Sequence, residues 1–224
     1  MRARDLTRYC SDLGWTDALD IPETTVAQAV STSSSGDDLN RLAASLEGCT
    51  RCRLCEQRRT IVFGEGDHRA AVMFIGEGPG ADEDRTGRPF VGQAGKLLDE
   101  MIFALGFDRP QVYIGNVVKC RPPGNRDPRE DEMAACSEFL DRQIELIGPR
   151  IVVALGRVAA RRLTGSDKPM GALRGRWTSY RGIPLLPIFH PAYLLRNELA
   201  KRTAWDDLKS VRQRLSGAES DSRA

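Results

Sequence analysis

Apolar residues along the chain fall into two kinds of run. Ala70–Ile75 (AAVMFI), Val112–Val118, Ile151–Leu155 (IVVAL) and Ile183–Phe189 are short and nearly continuous. Their length and composition predict buried strands. Elsewhere apolar residues recur every three or four positions. Leu97, Leu98, Met101 and Leu105 line one face of a helix predicted over Gln93–Leu105. Met133, Cys136, Leu140, Ile144 and Ile147 line another, which starts near Pro128. A short helix follows Leu155, and Thr203–Leu215 is predicted as a closing helix. Earlier, Leu39, Leu42 and Leu46 share a face of a helix starting near Asp37 or Asp38. Alternating strands and helices predict an α/β fold, a three-layer α/β/α sandwich around a central, mainly parallel four-stranded sheet.

The ends of the chain read differently. Residues 1–14 fit a short amphipathic helix, and the polar stretch that follows, through Ser31–Gly36, reads as a flexible linker. Residues 1–36 are therefore expected to be an extension and linker, 37–215 one folded domain, and 216–224 a disordered polar tail. No run of about 18 apolar residues exists to cross a membrane. The N-terminus lacks the apolar core of a signal peptide. A cytoplasmic location is expected, where six cysteines serve as metal ligands or buried thiols rather than disulfides.

A net charge of +2 argues neither for nor against nucleic acid. Local charge says more. Arg51, Arg53, Arg58 and Arg59 form one basic cluster, and Lys119, Arg121, Arg126 and Arg129 another. Such clusters either neutralise phosphates or form a solvated basic face.

In sheets of this kind ligands sit at the carboxyl ends of strands. The first strand runs into Gly76-Glu77-Gly78-Pro79-Gly80, the second into Asn116 and Cys120, and the fourth into His190-Pro191. Three polar constellations thus meet at one edge of the sheet. The glycine-rich segment is neither G-x-G-x-x-G at a helix start nor a G-K-[ST] loop, and Asp82, Glu83 and Asp84 would repel a diphosphate. His190 lies at a strand end, whereas His68 sits in a turn-like segment and is read as exposed. Cys49 and Cys52, then Cys120 and Cys136, make two pairs that could close a four-thiolate site for zinc or an iron–sulfur cluster. Cys136 fits equally well as a small buried hydrophobe. Cys55 extends the first run, so any two of its three thiols could ligate, and Cys10 is read as free.

The strings CTRC, VFGEG, GEGPGADEDRTGRPFVGQAGKLLD, NVVKCRPPGNRDP, AAC, IVVALG and HPAYLLR occur in order across Leu39–Leu215. This pattern resembles the family 4, iron–sulfur uracil-DNA glycosylases. The resemblance implies a 4Fe-4S cluster on Cys49, Cys52, Cys120 and Cys136, with Cys55 an extra. Glu77 and Gly78 fall on the first motif and Glu83 on its acidic end. Phe90 falls on the aromatic that stacks on uracil, Asn116 on the residue that reads its edge, and His190 on the histidine of the last motif. The expected reaction flips uracil out of DNA and hydrolyses its N-glycosidic bond, leaving an abasic site. Better-known relatives carry aspartate where Gly78 stands. Glu77 and Glu83 are then the carboxylates near enough to position water, and Glu83 or its loop would exclude the thymine methyl. Leu194 and Leu195 could wedge into the DNA, or could simply cap the core, and Arg196 could hold a phosphate. The expected partner is uracil-containing DNA, with no membrane, and the expected state is a monomer.

Three other readings stand beside this one. A relative in the same superfamily traps the sugar covalently without turnover, but carries a basic insertion with its own histidine. Residues 116–128 hold basic residues and no histidine. A non-enzymatic iron–sulfur DNA-binding module would not need Asn116, Phe90 and His190 together. A nucleotide-cofactor α/β enzyme would reveal its cofactor by absorbance.

Overall fold

The computed structural model describes residues 34–217. The helix expected over 1–14, most of the linker and most of the tail lie outside them. The first described helix, α1, spans Ser34–Ala44 and so takes in the last residues read as linker.

Six strands form one sheet in the order β1-β3-β2-β4-β6-β5. The four predicted strands are its centre. β2 (Val72–Gly76) pairs in parallel with β3 (Tyr113–Asn116) and β4 (Ile151–Leu155), and β4 pairs in parallel with β6 (Ile183–Ile188). The expected four-stranded sheet is corrected to six by two antiparallel edges. β1 (Glu65–Gly66) adds to β3, and β5 (Thr178–Tyr180) adds to β6. Both edges are too short to show a period of two. β1 also depends on a glycine. A β-carbon at Gly66, whose φ is +130°, would stand 1.8 Å from the Val112 carbonyl oxygen.

Alternate residues of the central strands feed two separate cores. Phe74, Ile114, Val153 and Leu186 pack with helix α3 (Gln93–Ala104) and with Trp205, Leu208 and Val211 of helix α8 (Leu199–Leu215). Met73, Ile75, Val152 and Leu185 pack on the other face with helix α4 (Glu130–Ile147), helix α5 (Gly156–Thr164) and Leu39 of α1. A sheet apolar on both faces and covered by helices on both is the predicted three-layer sandwich. Three shorter helices complete the described chain: α2 (Ala81–Thr86), α6 (Met170–Leu173) and α7 (Pro191–Leu194). No described helix is long and apolar enough to cross a membrane.

From β2 the chain goes to β3 on one side, then crosses to β4 on the other. The carboxyl ends of β2, β3 and β4 therefore border the switch point where a crevice opens.

Candidate active site

Four strand ends supply the site. Gly76 of β2 lies opposite Asn116 of β3 in the parallel ladder. The pairing continues past the strands, because Val117 donates to Gly76 O at 2.9 Å and Val118 to Glu77 O at 3.1 Å. The Asn116 side chain is thereby pinned against β2. It is 1% exposed, and its Oδ1 has no hydrogen-bond partner. Leaving a buried acceptor unpaired costs about 1–3 kcal/mol, so such an atom calls for a ligand. A β-carbon at Gly76 would meet Asn116 Oδ1 and Phe90 Cζ, each at 2.5 Å. Only glycine leaves room for both.

Phe90 sits in an unusual backbone conformation, with φ +51°. Non-glycine residues in that region carry strain of about 1–3 kcal/mol and persist only where the surroundings hold them. Glu83 is one holder. Its Oε1 accepts the N–H groups of Val91 at 2.8 Å and Gly92 at 3.0 Å, and its Oε2 accepts that of Gly80 at 3.1 Å. Glu83 was expected as a candidate for positioning water. Its carboxylate is instead committed to the backbone that carries Phe90, and it occupies the N–H groups a phosphate would need. Its neighbour Asp84, 2% exposed, accepts from Arg59 N at 2.8 Å and Thr60 N at 3.3 Å. The short helix α2 thus ties the phenylalanine loop to the first cysteine segment.

His190 caps α7. Its Nδ1 accepts the Ala192 N–H at 3.1 Å, which leaves the ring proton on Nε2. Burial pushes its pKa down to about 4, the Arg196 charge adds to this, and Glu83 opposes it. The imidazole is therefore neutral near pH 7 and presents an N–H donor. Its ring lies 5.6 Å from that of Phe90, at 29°. Beneath it, Gly156 at the end of β4 has φ +83°, and a β-carbon there would stand 2.8 Å from His190 Cβ. Gly156 is a site-forming residue that the sequence reading passed over, although it ends the quoted IVVALG string.

Glu77 is half-buried beside the ion pair of Asp127 and Arg157. Burial, helped by Asp127 and opposed by Arg157, raises its pKa to about 7. That is the range suited to a general base. Gly78 is closely packed, since a β-carbon there would meet Val118 Cγ2 at 2.7 Å.

The predicted wedge splits in two. Leu194 is 1% exposed and belongs to the core, so its expected contact with DNA is corrected, whereas Leu195 is 45% exposed. At the end of α7 consecutive residues step about 100° around the axis, enough to move one from the core to the surface. Arg196, which follows them, is exposed.

Cys49, Cys52, Cys120 and Cys136 all pack in the second core. Burial raises the thiol pKa values of Cys52, Cys120 and Cys136, and the thiols raise one another: Cys136 and Cys49 act on Cys52, and Cys136 and Cys52 act on Cys120. Arg58 donates to Cys120 Sγ at 3.4 Å. Cys55 lies in a short 3-10 turn, Arg53–Glu56, and is half-buried. Among the described residues, no group of three or more His, Cys, Asp or Glu side chains is gathered around one metal-ion position. Lys119, counted above with the basic surface, is fully buried and donates to Asn116 O at 2.8 Å and Gln143 Oε1 at 2.5 Å. It cannot meet a phosphate. Arg53, Arg59 and Arg129 do remain exposed.

Comparison with known proteins gives the family of the chain. Residues 63–209 match the model of the uracil DNA glycosylase superfamily. The chain is 44% identical to a type-4 uracil-DNA glycosylase of Sulfurisphaera tokodaii, over 79% of this chain and 84% of that protein. It is 43% identical to one from Saccharolobus solfataricus (80% and 88% covered) and 45% identical to one from Thermotoga maritima (73% and 88% covered). With a family model spanning most of the described domain and these relatives covered nearly end to end, the chain belongs to the type-4 uracil-DNA glycosylases of the uracil DNA glycosylase superfamily.

Proposed function

We propose that this protein excises uracil from DNA by taking the base out of the stack and hydrolysing its N-glycosidic bond. The observation that carries the reading is the orphaned, buried Asn116 Oδ1, which approaches Gly76 as closely as the Phe90 ring edge does. Uracil presents an N3–H donor beside its O4 acceptor, and a carboxamide offers the complement. Cytosine reverses that edge and would leave two buried groups unpaired, which discriminates strongly. Phe90 supplies the aromatic face for the base. A base reaches such a pocket only when flipped out of the duplex.

Breaking C1′–N1 puts negative charge on uracil O2. The neutral His190 donates Nε2–H to that oxygen and stabilises the leaving group. A neutral donor costs no proton exchange with solvent, and its depressed pKa keeps it in that form. Glu77, with its raised pKa, accepts the proton of the attacking water. Glu83 has no such role, because both its oxygens bind backbone. Thymine is excluded by the loop that Glu83 holds rather than by its carboxylate. Leu195 and Arg196 face the DNA.

Cys49, Cys52, Cys120 and Cys136 are the residues that would hold the 4Fe-4S cluster expected for this family. All four belong to one core neighbourhood, and four thiolates suit such a cluster. The raised pKa values of Cys52, Cys120 and Cys136 favour thiols until a metal centre binds, and Arg58 beside Cys120 and Lys119 beside Cys136 offset the negative charge of the ligated site. The cluster would join the Cys49–Cys52 segment to β3 and α4, holding the exposed arginines Arg53 and Arg59 towards DNA.

The test is an oligonucleotide with one uracil, run beside thymine and cytosine controls and followed by cleavage at abasic sites. Multiple turnover at uracil alone is expected, with His190→Ala slower by about 10²–10³. A stable protein–DNA adduct in place of turnover would favour covalent capture. Iron and acid-labile sulfide in equal amounts would confirm the cluster, and zinc would refute it.

A further inference from the structure

Arg109 belongs to no motif and touches no part of the proposed base pocket directly, yet it grips the back of the residue that forms it. Its Nη1 donates to Phe90 O at 3.2 Å and its Nη2 to Pro89 O at 2.5 Å. The remaining donors are taken by carboxylates. Nε binds Glu65 Oε1 at 2.8 Å, Nη2 lies 2.7 Å from the same oxygen, and Nη1 binds Asp99 Oδ1 at 2.5 Å. The guanidinium thus spans two consecutive carbonyls with one planar fork, and two acidic residues from different elements set its plane. The Arg109 side chain is 18% exposed.

The Phe90 backbone is consequently held from both sides. Arg109 takes the carbonyls of Pro89 and Phe90, and Glu83 takes the N–H groups of Val91 and Gly92. Gly95 lets the carbonyl seat against α3, since a β-carbon there would stand 1.9 Å from Phe90 O. A residue at φ +51° relaxes unless such contacts oppose it.

We propose that Arg109 is a positioning residue: through the Pro89 and Phe90 carbonyls it fixes the left-handed backbone of Phe90 and so sets the plane of the ring against which uracil stacks. This rests on the reading of Phe90 as the stacking residue. Lysine in its place keeps the charge beside Glu65 and Asp99, but an ammonium on a single atom cannot reach both carbonyls in one plane.

The test is a double-mutant cycle of Arg109→Lys and Phe90→Leu, read by steady-state kinetics on uracil-containing oligonucleotide and by inhibition with free uracil. Stacking acts in the bound ground state as well as the transition state, so its loss raises KM more than it lowers kcat. Arg109→Lys is expected to raise KM and the uracil inhibition constant about tenfold. In the Phe90→Leu background it is expected to add less than about twofold, because the ring it positions is gone. Full additivity, or wild-type kinetics for Arg109→Lys, overturns the proposal. If Phe90→Leu alone changes nothing, the stacking role itself fails, which separates the two readings. Should Arg109→Lys not fold, Asp99→Asn frees one side of the guanidinium on a half-exposed carboxylate. The same non-additivity with Phe90→Leu is then expected at smaller size, and additivity refutes it.

Discussion

Gly156 and His190 lie so close that a β-carbon on the glycine would stand 2.8 Å from the β-carbon of the histidine. The two follow different strands, β4 and β6, and their separation sets how deep the imidazole sits beside Phe90. Gly156→Ala is doubly disfavoured, by this contact and by φ +83°. It is expected to push His190 outward and to lower kcat by on the order of a hundredfold, as misplacements of about 1 Å can do. Substrate affinity should change little. Single-turnover excision beside equilibrium binding to uracil DNA checks both, and an unchanged rate would show that His190 is not seated by Gly156.

The two titrating groups of the site set opposite pH dependences. With Glu77 near 7 and His190 near 4, the excision rate should rise with pH through about 7 and then level off, with no His190 limb above about 5. Stability responds differently. Glu77 keeps its proton in the folded chain to a higher pH than its ordinary 4.5, so its contribution is full below about 4.5 and is lost as pH rises to about 7. His190 resists protonation when folded, so stability falls as pH drops from 6.5 towards 4. The two slopes oppose each other over most of that window. Urea titrations from pH 4 to 8 should therefore show stability rising with pH in Glu77→Gln and falling with pH in His190→Asn.

Lys119 joins the cysteine side of the second core to Asn116, the residue proposed to read the base, through Asn116 O and Gln143 Oε1. Lys119→Met leaves two buried acceptors without a donor. A loss of about 2–4 kcal/mol is expected from penalties of this kind. Pairing it with Gln143→Leu should recover part of that loss, because removing both partners costs less than removing one. Recovery will be incomplete, since Gln143 also donates to Phe63 O and to the Tyr113 hydroxyl. Denaturant midpoints of the single and double variants decide it.

Adjacent leucines should give opposite phenotypes. Leu194→Ala empties a core position and should cost about 2–5 kcal/mol of stability. Leu195→Ala should leave the melting temperature nearly unchanged. It should slow excision from duplex DNA more than from single strands, because a wedge matters where a stack must be opened. Equal loss on both substrates would remove Leu195 from that role.

Much of this protein was legible in the sequence because the signals are local. Buried parallel strands need apolar runs such as IVVAL, and β4 spans the residues that run predicted. The strand ends then placed Glu77, Asn116 and His190 at one edge without any coordinates. Local signals failed where elements were too short to carry a period, as in β1 and β5, and where a single step of about 100° around a short helix separated buried Leu194 from exposed Leu195. Tertiary structure alone decided which carboxylate stayed available. Glu77 and Glu83 look equivalent in the glycine-rich segment, but only packing shows Glu83 spent on three backbone N–H groups and Glu77 held near neutrality beside Asp127. It also recruited Arg109, which lies outside every quoted string, and gave Gly156 and Lys119, which lie inside two of them, contacts that no string specifies. The reason is physical: periodicity records which face of an element is apolar, whereas the hold on Phe90 and the seat of His190 are contacts between remote segments, and these exist only once the sheet has formed.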